Sequence, residues 1–223
     1  MSVNYVVLPG AGSAGLAWEE AAEMLGAAII PVPDAPSVPA MAAEVESAVA
    51  GVPRPRVLIG TSLGGMVALE LARRVPVDAL VLIAAGFGIT VSHSALEWVE
   101  GDAPDLLEKM SRSGLADRED ERVIAIRLED FRRRGQPVLL RHLTALGAHR
   151  PEPLEDPPPT VVIWGEHDRA VPLADHAELA VRCGGVLVPI ADAGHAPFLE
   201  QPERVATVIR RFAGRSALET APR

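Results

Sequence analysis

Apolar residues in this chain fall into two alternating kinds of run. Short stretches without polar alternation (Val3 to Leu8, Ala28 to Val32, Arg56 to Gly60, Asp78 to Ala84, Thr160 to Trp164, Val186 to Ile190) predict strands covered on both faces. Between them lie segments of helical period. Leu16 to Leu25 puts Trp18, Ala21, Ala22 and Leu25 on one face, and Met41 to Val49, Met66 to Arg74 and Pro202 to Phe212 behave alike. Strand and helix in alternation predict an α/β fold: a mostly parallel, doubly wound sheet of about six strands.

The alternation breaks between Phe87 and Pro159. Only helical patterns occur there, at Ser94–Val99, Pro104–Arg112, Arg118–Arg134 and Pro137–Leu146, before the stiff return Pro157-Pro158-Pro159. We read residues 87–158 as a helical cap inserted into a core formed by 1–86 and 159–213. The short polar tail, 214–223, is expected to fray.

Composition narrows the classes. The 223 residues suffice for one domain with a full core, and the charge of −9 argues against a nucleic-acid-coating protein. The single cysteine, Cys183, can form neither an internal disulfide nor a zinc cluster, which fits a reducing compartment. No basic segment precedes an apolar stretch at the start. The longest strongly apolar run, Ala79 to Gly88, is about half the ~20 residues of a spanning helix. A cytoplasmic protein without a membrane partner is expected.

Two glycine signals compete for the chemistry. Gly10-Ala11-Gly12-Ser13-Ala14-Gly15 follows a strand and opens a helix, and Asp34 follows the next strand. That is the pattern of a dinucleotide-binding turn, although Pro9 stiffens its start. The second signal, Gly60-Thr61-Ser62-Leu63-Gly64, joins a strand to a helix by a sharp turn. Such a turn strains its central residue, lifts that side chain above the sheet and leaves no room for a Cβ two residues to either side. Ser62 is thereby a candidate nucleophile.

A serine nucleophile needs an acid and a histidine, in the chain order Ser, acid, His for this architecture. The strand ending at Trp164 runs into Gly165-Glu166-His167-Asp168, and the one ending at Ile190 into Ala191-Asp192-Ala193-Gly194-His195. Carboxyl ends of parallel strands are where catalytic side chains gather. Asp192 is expected to close its own turn, and Glu200 to serve as a structural residue at a helix entry. His142 and His149 have no carboxylate or thiol at ligand spacing, so neither a metal nor a cofactor is expected.

Together Gly60–Gly65, Trp164-Gly165-Glu166-His167-Asp168 and Ala193-Gly194-His195-Ala196-Pro197-Phe198 resemble the α/β-hydrolase superfamily, in its serine esterase branch. The resemblance implies a Ser62–His195–Asp168 triad, with the backbone N–H groups of Ala11 and Leu63 forming the oxyanion hole. It implies a carboxylic ester, thioester or lactone as substrate, and a serine rather than an aspartate nucleophile. Pro9 stands where the family usually has histidine, and the usual leading β-hairpin is missing. The last segment is also similar to that of esterases acting on carrier-bound acyl methyl esters.

The cap leaves more open. Ile124, Leu128 and Phe131, then Leu139, Leu143 and Leu146, form apolar stripes that suit either packing on the core or an acyl tunnel. Arg127, Arg132, Arg133, Arg134, Arg141 and Arg150 make it locally basic. They either balance Glu119, Asp120, Glu121, Glu129 and Asp130 on a solvated face or dock an acidic carrier protein. A non-catalytic hydrolase-like binding module, and a dinucleotide-binding protein using Gly10–Gly15 and Asp34, are the alternative functions.

Overall fold

The computed structural model describes residues 3–101 and 103–219, with side chains to residue 214. Six strands, β1 (Asn4–Leu8), β2 (Ala28–Ile29), β3 (Arg56–Thr61), β4 (Ala79–Ile83), β5 (Thr160–Gly165) and β6 (Val186–Ile190), form one sheet in the order β2-β1-β3-β4-β5-β6. Every neighbouring pair is parallel, as the unalternating apolar runs require. β3 and β4 are buried at every position.

One face of the sheet is covered by α2 (Val38–Ala50), α3 (Leu63–Ala72) and α8 (Leu173–Arg182); the other by α1 (Glu19–Leu25) and α10 (Pro202–Glu219). Four helices, α4 (His93–Glu100), α5 (Leu106–Arg112), α6 (Glu121–Arg134) and α7 (Gln136–Ala148), lie in the chain between β4 and β5. The short α9 (Pro197–Glu200) follows β6. Local chemistry sets several of these ends. The Ser37 side chain accepts the Ala40 N–H to start α2, and Asp120 accepts from Val123 to start α6.

Some boundaries differ from expectation for identifiable reasons. β2 stops after two residues instead of running to Val32, because the Ile30 N–H makes the last bond to Val7 O and Pro31 has no N–H to offer. The helix expected from Leu16 begins as a single 3-10 turn, Leu16–Trp18, and becomes α-helical at Glu19. α8, not among the helices expected from the sequence, has buried His176, Leu179 and Ala180 on one face. α10 continues past Phe212 to Glu219, and residues 220–223 of the expected tail lie outside the described residues.

The apolar stripes of the third and fourth inserted helices divide their work. Ile124 and Leu146 join the main core clusters, whereas Phe131 and Leu139 form a separate cluster with Val99 and Leu106. Among the described residues, no helix is long and apolar enough to cross a membrane.

Candidate active site

The turn from β3 to α3 carries Ser62 in a left-handed conformation, φ 51° and ψ −114°, which a residue with a Cβ adopts only under constraint. The constraint is close packing. A Cβ on Gly60 would sit 2.6 Å from the Gly65 Cα, and one on Gly64 would sit 2.5 Å from the Pro9 carbonyl oxygen. The Ser62 N–H is fixed by Ile83 O at 2.9 Å, and Ser62 O accepts from Gly65 N. The two glycines thus let the turn close while β4 anchors its apex.

β5 and β6 are neighbours, so the loops beyond their carboxyl ends meet. There His195 Nδ1 lies 2.8 Å from Asp168 Oδ2, and Asp168 Oδ1 accepts from the N–H groups of Ala170 and Val171 at 2.8 and 3.0 Å. Burial pushes the Asp168 carboxyl upward. The adjacent His195 and the two backbone donors outweigh it, and the pKa stays below the ordinary value. With Nδ1 directed at the carboxylate, the ring offers Nε2 to a hydroxyl. His176, fully buried, stands behind the acid with Nε2 3.9 Å from Asp168 Oδ2 and Nδ1 at 3.0 Å from Pro172 O. Burial lowers its pKa, which favours a neutral ring there.

Ser62 and His195 line one cavity of about 120 Å³, together with Gly10, Ala11, Arg127 and Phe131. The β1 turn and the inserted helices thus both contribute to its lining. Leu63 opens α3 directly after Ser62, its side chain buried in the core. Trp18 ties the segment after the β1 turn to β3 and α9: its ring stacks on Phe198 at 4.3 Å, and its Nε1 donates to Thr61 Oγ1 at 3.1 Å.

Three side chains outside the expected set hold this site. Asp130, which the sequence groups with solvated acids, is only 2% exposed and reaches from α6 into the β1 turn. It accepts from Ser13 Oγ at 2.5 Å, Ala14 N at 2.7 Å and Leu16 N at 3.0 Å. His142 of α7, fully buried, accepts the Gly12 N–H on Nδ1 at 3.1 Å and faces Pro33 O with Nε2 at 3.0 Å. Those bonds fix the tautomer with hydrogen on Nε2, and burial lowers its pKa further toward the neutral ring. Glu200, expected as a helix-entry residue, accepts from Gly194 N (3.0 Å), Ala196 N (3.1 Å) and, on its other oxygen, Ala116 N (2.7 Å). It brackets His195. The His195 N–H itself donates to Gly114 O at 2.7 Å.

These bonds bear on the dinucleotide pattern. The N–H groups of Gly12, Ala14 and Leu16, which would have to cradle a pyrophosphate, are already taken by His142 and Asp130. Asp34, its ribose acid, pairs with Arg141, Nε to Oδ1 at 2.8 Å. The basic cap also disperses. Arg133 pairs with Glu129, Arg134 donates to Val32 O, Arg150 to Gly147 O and His149 O, and Arg127 turns into the cavity.

The chain matches the model of the alpha/beta hydrolase family over residues 5–208. Pimeloyl-[acyl-carrier protein] methyl ester esterase of Stenotrophomonas maltophilia is 30% identical over 194 residues, covering 75% of this chain and 73% of that protein. The enzyme of the same name from Methylococcus capsulatus is 32% identical over 185 residues, covering 72% and 71%. A solved structure of a thermophilic esterase superposes with a TM-score of 0.80 at 26% identity, covering 96% of this chain and 90% of that one. Its strained serine turn, its parallel sheet and these likenesses agree: the chain belongs to the alpha/beta hydrolase family.

Proposed function

We propose that this protein is a serine hydrolase of carboxylic esters. Ser62 Oγ attacks the ester carbonyl, His195 takes the proton on Nε2 and returns it to the leaving alcohol, and Asp168 holds the ring and stabilises the imidazolium. The oxyanion is met by the backbone N–H groups of Leu63 and Ala11, together contributing several kcal/mol to barrier lowering. Water then releases the acyl group by the same route. The 2.8 Å bond from His195 Nδ1 to Asp168, on a ring that shares its cavity with Ser62, supports this most strongly.

Relatives named for a carrier-bound methyl ester make such esters a substrate class to test, with an acidic carrier protein as the partner. Of the cap arginines, Arg132 is exposed and open to one. A panel of short and long methyl and nitrophenyl esters, free and carrier-linked, tests both levels. Turnover by the wild type that disappears in Ser62→Ala supports the assignment; turnover that survives the substitution contradicts it. A steep fall with salt for carrier-linked esters alone is the result expected of a docked acidic partner.

A further inference from the structure

The cavity that holds Ser62 and His195 also holds a cation, which the proposed mechanism does not use. Arg127 of α6 lines it, half-buried, with Cζ 5.6 Å from the centre of the Phe131 ring. Among the described residues its hydrogen-bond partner is the Ser113 carbonyl, reached by Nη1 at 2.8 Å, and it forms no ion pair. The nearby carboxylates are committed elsewhere. Asp130 holds the β1 turn, Glu200 the backbone around His195, and Asp168 the His195 ring. They act on Arg127 only at longer range. Burial draws the pKa of the guanidinium down to about 10, which leaves it charged at neutral pH.

A guanidinium aimed into a cavity has planar, paired N–H donors, a geometry that matches a carboxylate. Leaving such a charge without a close counterion is costly, and a ligand anion relieves the cost. Phe131, Leu139, Leu143 and Met110 in the lining suit a hydrocarbon segment, and the lining carboxylate, Asp130, has its oxygens engaged by Ser13, Ala14 and Leu16. At about 120 Å³ the space falls well below the ~300–1,000 Å³ typical of drug-sized ligands, so the acyl group it takes is short. We propose that Arg127 anchors a carboxylate on the acyl group, so that the preferred substrates are half-esters of short dicarboxylic acids. This rests on the serine-hydrolase reading and adds a specificity residue to it.

Monomethyl glutarate and methyl pentanoate test the idea, since they differ only in a terminal carboxylate against a methyl group. In the Ser62→Ala protein, calorimetric titration is expected to show the anion bound at least tenfold tighter; equal or weaker binding overturns the proposal. In the wild type the ratio of kcat/KM for the two esters should favour the glutarate. Arg127→Gln should lower that ratio roughly 10- to 100-fold, the range for a lost charged hydrogen bond. Arg127→Lys should keep part of it. A ratio that survives Arg127→Gln, or one unchanged because both esters lose the same factor, overturns the proposal. If Arg127→Gln shows no melting transition, the wild-type ratio decides: tenfold or more supports it, and parity overturns it. The titration needs no turnover, so it also separates this inference from the hydrolase reading. Failure of the latter shows as no ester hydrolysed by the wild type.

Discussion

The two halves of the site are built differently. On the β5–β6 side, Asp168 and His195 stand on loops beyond adjacent parallel strands, and sheet pairing up to Gly165 and Ile190 brings them together. On the β1 side, the turn 10–17 lies beside the end of β3 that carries Ser62, and it is held in addition by Asp130 of α6 and His142 of α7. Sheet pairing brings the loops of Asp168 and His195 together, with Glu200 and the Gly114 carbonyl bracing His195, whereas the turn proposed for the oxyanion hole is tied to α6 and α7.

This contrast can be broken by substitution. The largest effect is expected for Asp168→Asn, which removes the negative charge and frees the wrong tautomer. Turnover should fall by roughly four orders of magnitude with little change in KM. A loss below about tenfold would remove Asp168 from the proposed triad. Next comes Asp130→Asn. The amide oxygen keeps some of the backbone bonds but loses the charge, so kcat is expected to drop about 10- to 100-fold while the melting temperature falls modestly. The telling control is Asp130→Glu, whose longer arm restores charge but not register. If Asp130→Asn changed stability alone and left kcat untouched, the clamp would be structural only.

Glu200→Gln should cost less, about 3- to 10-fold in kcat, because one oxygen still accepts the Gly194 and Ala196 N–H groups. Exchange of the Gly194 and His195 amide hydrogens, followed by mass spectrometry, should quicken with it; unchanged exchange would argue against a bracketing role. The smallest effect concerns pH. The Asp168 carboxyl has a folded pKa below its ordinary value. Its contribution to stability is fully present above about pH 4 and is lost as pH falls through the lowered folded value. Melting curves of wild type and Asp168→Asn, compared from about pH 7 to about pH 3, should converge at the acid end. A gap that stays constant would contradict the sign.

The same contrast explains what the sequence made legible. The strained turn at Ser62 was visible because its requirements are local: glycines two residues away on either side, between a strand and a helix. His195 and Asp168 were found from family resemblance and strand ends, both readable over a few residues. Asp130 was not, because within Arg127–Arg134 it looks like any charge on a wet helix. Its burial depends on a turn more than 110 residues earlier in the chain. Glu200 lay only five residues from His195, yet its bond to Ala116 joins two distant loops, and the pattern at a helix entry gives no hint of that. The short β2 was, by contrast, foreseeable: Pro31 and Pro33 end the ladder, and the apolar run through Val32 concealed it.

An assembled site would leave Ser62 activated as a nucleophile. Incubation with a fluorophosphonate probe, followed by intact mass and peptide mapping, tests it without any guess at substrate. A single adduct is expected, on Ser62, absent from Ser62→Ala and slowed in Asp130→Asn. An unmodified protein, or an adduct on another residue, would contradict it.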